Sequence, residues 1–155
     1  MATKTYRFNI TPQSAIRVNQ GDSVFFRIPR DKLHPPGLKR LLRLERSNKY
    51  ADDLRAIARS IQFTVPPSGS IIRFYFPCPK SWSKKKKRQY HGMPMLSKPD
   101  LDNCLKKIWD SLCIEDKHIA HVEASKQWVY SDVGWIDIEV RDYIFPAVPA
   151  PDSIK

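Results

Sequence analysis

The stretch KPDLDNCLKKIWDSL, from Lys98 to Leu112, decides how the rest of this 155-residue chain is read. Leu101, Leu105, Ile108 and Leu112 recur at the spacing of one apolar helix face. Pro99 suits a first turn, and the acidic Asp100 and Asp102 suit the positive end of the helix dipole. The spacing predicts a helix that begins near Leu101 and stops near Leu112–Ile114. Asp102 and Lys106 are neighbours on its polar side. Glu115 and Asp116 follow after a very short connection. The two aspartates also stand close behind KSWSKKKKRQY (Lys80–Tyr90), one of the most basic stretches of the chain. Carboxylates there repel the polyanion that such a stretch attracts. Either they only start a helix, for which P-D-x-D is a good capping sequence, or a cation reconciles them with phosphate.

The whole composition favours an anionic partner. The formal net charge is +11, which points to nucleic acid before a membrane surface. No apolar run approaches the roughly 18–20 residues needed to span a bilayer. The opening MATKTYRFNI has no long apolar segment of the signal-peptide kind, so a cytoplasmic location is expected. Hydrophobic residues make up 41% of the chain, enough for one modest core. One domain over residues 1–145 is expected, with a Pro-rich tail over 146–155. Cys78, Cys104 and Cys113 are odd in number and lack CxxC spacing, which argues against a disulfide framework and a zinc site. Cys104 and Cys113, within a helical pattern, read as ordinary buried thiols.

Outward from the opening stretch, hydrophobic alternation predicts a first strand over Thr5–Pro12. Ala15–Pro29, with Gly21 in a turn signal, reads as a hairpin or an extended loop. Pro35, Pro36 and Gly37 are expected to break regular structure. A helix is expected from Leu38 to about Ile61, with Asn48 as a possible cap for its second part. Arg40, Arg43, Arg46, Lys49, Arg55 and Arg59 make its outer side basic, a pattern that a solvated face explains as readily as DNA contact. Ile71–Pro77 reads as a strand near the sheet centre. Cys78–Ser97 reads as a long loop, a length that marks functional or disordered segments. Strands are expected over about Ile119–Tyr130 and from Trp135 onward, joined as an antiparallel hairpin. The elements read in this way are about four strands and two helices.

The acidic residues suggest chemistry if the last helix and the strand after it are neighbours. Asp100, Asp102 and Asp116, with Glu115 beside them, would then offer oxygen ligands of the kind Mg²⁺ or Mn²⁺ prefers. Such a site performs phosphoryl transfer on the backbone that the basic loop brings in. Lys106 would offset charge in the transition state or hold Asp102 in place. Lys80, Lys84, Lys85, Lys86, Lys87, Arg88 and Lys98 are the candidate DNA-contacting cations, with Trp82 and Tyr90 interleaved as possible stacking or wedging groups.

At these residues the sequence resembles the RusA family of Holliday junction resolvases. The resemblance rests on K-P-D-x-D-N-x-x-K-x-x-x-D-x-L, present as Lys98, Pro99, Asp100, Asp102, Asn103, Lys106, Asp110 and Leu112. It continues into Glu115-Asp116 and a strand that ends in Lys126. It implies an α+β fold with a small mixed sheet of about four strands packed with two helices, a symmetric homodimer, and Mg²⁺-dependent cutting of branched DNA, with a bacterial or phage source. It implies that Asp100, Asp102 and Asp116 bind metal and that Lys106 is the catalytic lysine. The sequence departs from the family pattern in having Glu115 for an aspartate, His118 for a glutamine, and a shortened connection over Ser111–Ile114. Two other readings stay open: a DNA-binding protein of the same fold without catalysis, and a nuclease acting on flaps, single strands or RNA. A glycosidase built on paired carboxylates would leave the basic surface unexplained.

Overall fold

The computed structural model describes residues 3–66, 70–113 and 115–148. Four strands form one mixed sheet: β1 (Lys4–Phe8), β2 (Ser70–Pro77), β3 (Val122–Val129) and β4 (Trp135–Val140). Their spatial order is β1-β4-β2-β3. β2 and β3 run parallel, and β4 is antiparallel to both β1 and β2. Three helices complete the fold: α1 (Pro35–Ser60), α2 (Lys84–Tyr90) and α3 (Leu101–Leu112). This is the expected α+β class, with one short helix more than the sequence suggests. Among the described residues no helix is long and apolar enough to cross a membrane.

The alternation of β2 sets up the core. Ser70, Ile72, Phe74 and Phe76 are buried, and their sequence neighbours are only half-buried. Registered across the sheet, Phe74 lies beside Ile136, and Ile136 beside Phe8; Ile72 lies beside Ile138. This apolar face is covered by Tyr50 and Leu54 of α1 and by Cys104, Ile108 and Trp109 of α3. The opposite face carries charge. Arg7 grips the Asp137 carboxylate with two bonds of 2.8 Å, and Arg73 pairs with Glu139 at 2.8 Å. Cross-strand pairs of this kind hold register on a half-exposed face.

The expected hairpin of the last two strands does not form. β3 pairs with β2 alone, apart from an isolated bridge, and β4 inserts between β1 and β2. The reason lies in side-chain polarity. β3 carries Glu123, Ser125, Lys126 and Gln127, which suit an edge, whereas Ile136 and Ile138 of β4 are fully buried and require neighbours on both sides. Gly134 permits the crossing. A Cβ there would collide with the Tyr75 carbonyl oxygen, so only glycine lets the chain pass the end of β2.

Further expectations are corrected. Pro35 and Pro36 begin α1 rather than interrupt it, because proline costs nothing where a helix has no N–H partner to lose. His34 caps the start, its Nδ1 accepting from Gly37 N at 3.0 Å, and the helix runs unbroken past Asn48. The first strand ends at Phe8, and the segment Ala15–Pro29, expected to be a hairpin or extended loop, instead holds a 3-10 turn at Gln20–Phe26, with a second following it at Arg30–Lys32. The long loop contains α2. Ser83 caps it by accepting from Lys86 N at 3.2 Å, and the exit from α2 bonds back along β3. Of the expected tail, residues 149–155 lie outside the described residues.

Candidate active site

The site is built where the edge strand meets the start of α3. Lys126 registers with Phe74, so its side chain leaves β3 on the helix-covered face. Its ammonium donates to the carbonyl oxygens of Ser97 and Pro99, at 2.5 and 2.7 Å. Behind that anchor, Met95 N donates to Lys126 O at 3.0 Å, and Trp128 N to Met93 O at 2.9 Å. The segment Gly92–Pro99 is thus fastened along β3 before the chain enters α3.

Asp100 follows at once. Its backbone holds the N-cap conformation (φ −69°, ψ 145°), yet its side chain makes no capping bond. Asp102 and Lys106 are exposed, and among the described residues neither forms an ion pair, so the expected Asp102–Lys106 bridge is absent. Cys104 lies fully buried beneath this cluster. Burial pushes its thiol up to about 11; the Lys126 ammonium works against that shift, and the Asp100 and Asp102 carboxylates add to it. All three charged groups are thus close enough to act on this one buried thiol. Cys78 is buried and Cys113 half-buried, and both are free.

Glu115 and Asp116 come after the other end of α3. Twelve helical residues at about 1.5 Å each separate the ends by roughly 18 Å. Both are exposed, Glu115 pairs with Lys117, and Asp116 raises the Cys113 thiol together with burial, which is the larger cause. Glu115 and His118 line a cavity of about 430 Å³ beside Phe63–Val65, Leu112 and Cys113. Among the described residues, no three His, Cys, Asp or Glu side chains lie close enough to hold a metal ion. The third carboxylate is not brought to the first two, because Asp100 and Asp116 lie beyond opposite ends of α3. Ile114, part of the shortened connection after Leu112, lies outside the described residues. The donor set does not make a closed three-carboxylate cage. Asp100 and Asp102 do fit the open mode of Mg²⁺ binding, in which one or two carboxylates act together with substrate phosphates.

The expected DNA-contacting cations divide into two kinds. Lys80, Lys84, Lys85, Arg88 and Lys98 are exposed and without ion pairs among the described residues. Lys86 instead lies 4.3 Å from the Trp82 ring centroid and 5.6 Å from that of Tyr90, and Lys87 reaches back to Lys80 O at 3.5 Å. Trp82 packs on Tyr90 at 4.9 Å and on Trp128 at 5.1 Å. It anchors α2 to β3 and is no free wedge.

Two residues outside the sequence-derived set belong to this architecture. Lys107 is buried and donates to Ser47 O at 2.9 Å and to Ser47 Oγ at 2.6 Å, fastening α3 to α1. Burial lowers its pKa. Lys126 enters the sequence reading as the lysine of the strand after the acidic pair, and its anchoring of Ser97–Pro99 is seen only in the structure.

The sequence from residue 33 to residue 141 matches the family described as Endodeoxyribonuclease RusA. The chain belongs to the RusA endodeoxyribonuclease family. The match runs from just before α1 to the end of β4 and includes every candidate carboxylate. No curated protein matches the chain. Membership in the RusA family accounts for the basic surface, because the family acts on branched DNA as Holliday junction-resolving endodeoxyribonucleases. The segment before residue 33, with β1 and both 3-10 turns, lies outside the match.

Proposed function

We propose that this RusA-family protein is a metal-dependent endonuclease that resolves Holliday junctions by paired symmetric nicks, working as a homodimer. One observation carries the reading. Asp100, Asp102 and Lys106 share the start of α3, and none is spent on a cap or an ion pair within the described residues. Side chains serving only helix initiation would be expected to make those bonds.

In this reading the exposed cations of α2, with Lys80 and Lys98, attract the phosphodiester backbone. Lys126 fixes Ser97–Pro99 so that Asp100 and Asp102 present their carboxylates at one place. Lys106 stands one turn on from Asp102 and neutralises charge that develops on the phosphoryl group. Mg²⁺, or Mn²⁺ in its place, held by Asp100 and Asp102 would supply Lewis-acid stabilisation of the phosphoryl oxygens. Asp116 and Glu115 would join that pair only if the Cys113–Ala120 connection rearranges on DNA. A C2 dimer suits the substrate, because a four-way junction offers two opposed strands to two equal sites.

The position of Asp116 favours a second reading, a DNA-binding protein of this fold that does not cut. Incubation of labelled four-way junction and of matched linear duplex with the protein, in Mg²⁺ and in EDTA, separates the two. Paired nicks in the junction only, absent in EDTA, support the nuclease. Junction binding without nicks in Mg²⁺ or Mn²⁺ supports the binder.

A further inference from the structure

Beside Pro99 opens a cavity of about 400 Å³ whose lining includes Gln13, Ser14, Arg43, Arg46 and Phe76. A second, of about 330 Å³, lies against Thr11, Gln13, Arg46, Lys49, Tyr50 and Asp53, the last of these paired with Lys49. The two share Gln13 and Arg46, so they form one concave strip between the segment Ile10–Ile16 and α1. One end of the strip is Pro99, the residue before Asp100.

The wall of the strip is fastened at several points. Ala15 N donates to Asn103 O at 2.9 Å, in the first turn of α3. Gln13 N donates to the Tyr50 hydroxyl at 3.2 Å, and Arg40 donates to Arg17 O. The concavity is thus built into the fold rather than left by a loose segment.

The charges of α1 are used unequally. Arg40 is committed to Asp22, Lys49 to Asp53, and Arg55 to Asp52. Arg43 and Arg46 are exposed, and among the described residues neither has an acidic partner. They stand three residues apart on the same helix, both at the strip, with Gln13 and Ser14 on its other wall. Guanidinium groups beside amide and hydroxyl donors suit phosphate oxygens.

We propose that this strip binds a DNA phosphodiester backbone next to the phosphate presented to Asp100 and Asp102, with Arg43 and Arg46 as its anion-binding residues. The carboxylates then lie between two basic surfaces, α2 on one side and the α1 strip on the other, and a strand crossing them is held on both flanks. The inference deepens the nuclease reading and rests on it for the substrate class.

The test compares the Arg43→Ala/Arg46→Ala double variant with Arg27→Ala/Arg59→Ala, which removes equal charge elsewhere. Binding to a fluorescent four-way junction is measured in EDTA from about 50 to 200 mM salt. Every phosphate that the protein no longer neutralises lowers the slope of log affinity against log salt by about 0.9, so the first double variant is expected to reduce the slope by roughly 2. It is also expected to bind at least about tenfold more weakly at 100 mM salt, and the control is expected to stay near wild type. Arg43→Lys/Arg46→Lys keeps the charge and is expected to keep most of the slope, which guards against a folding artefact. Equal slope reductions in both alanine doubles, or none in either, would overturn the strip. Junction nicking by the wild type in Mg²⁺ is scored separately. A reduced slope without nicking upholds the strip and removes the nuclease, whereas nicking with an unchanged slope does the reverse.

Discussion

The Lys126 ammonium on β3 lies 2.7 Å from the carbonyl oxygen of Pro99 and donates a hydrogen bond to it. The sheet edge is thereby joined to the residue that precedes the first candidate metal-binding carboxylate. A lysine on the buried face of a strand is costly unless its charge is met. Here two backbone carbonyls meet it. Lys126→Ala is expected to lower kcat for junction cleavage by about 10- to 100-fold, since a displacement near 1 Å suffices for such an effect. The junction Kd is expected to change little, and Lys126→Arg is expected to recover part of kcat. A fall in melting temperature with kcat unchanged would reduce Lys126 to a structural tie.

Asp100 occupies an N-cap position without making the capping bond. Replacing a working Asp cap by Ala costs about 1 kcal/mol. Asp100→Ala is therefore expected to change urea-unfolding stability by less than about 0.5 kcal/mol, the range of ordinary surface substitutions, while abolishing cleavage. A stability decrease near 1 kcal/mol would show that the carboxylate serves the helix after all.

Asp22 and Arg40 tie the first 3-10 turn to α1. Arg40 holds the Asp22 carboxyl below its ordinary value of 3.8, first through the side-chain hydrogen bond, and the Asn19 N–H adds to this. A folded-state pKa below the unfolded one contributes stability that is present above the unfolded value and is lost as pH falls through the folded value. Asp22→Asn is expected to lower the urea midpoint at pH 7, and the gap to wild type is expected to close as pH falls below 3.8. A gap that is constant across this range, followed by urea unfolding at several pH values, would contradict the pairing.

Trp82 sits between Tyr90 and Trp128 with Lys86 over its ring. Trp82→Ala is expected to cost about 2 kcal/mol, less than for a fully buried tryptophan because Trp82 is half-buried. Amide exchange across Lys84–Tyr90 is expected to quicken. If the substitution left exchange and stability unchanged and weakened only junction binding, Trp82 would be a stacking group for DNA rather than an anchor.

Much of this was legible in the sequence. The α3 stripe and the central position of β2 follow from periodicity, because burial in those elements is decided by local alternation, and the α+β class was what the family resemblance implied. The strand order was not legible. Whether β4 pairs with β3 or slips between β1 and β2 depends on partners more than a hundred residues away, such as Phe8 beside Ile136, and on the single close approach of Gly134 to Tyr75. α2 was hidden by its lysines, which carry no apolar stripe; its stability comes from Ser83 and from Trp82 against Trp128. Within the candidate site, spacing placed Asp100, Asp102 and Lys106 near one another on one helix, and their proposed roles came from the family resemblance. The position of Asp116 depends on the path of the connection after Leu112, and spacing does not determine that path.

The most direct test of the account compares wild type with Asp102→Asn on one labelled four-way junction, with binding and cleavage read from the same sample in Mg²⁺. Asp102 is exposed and forms no ion pair among the described residues, so the variant is expected to fold and to bind the junction with wild-type affinity. It is expected to make no nicks where the wild type makes a symmetric pair. Cleavage by Asp102→Asn at the wild-type rate would contradict the assignment of the start of α3 as the catalytic centre.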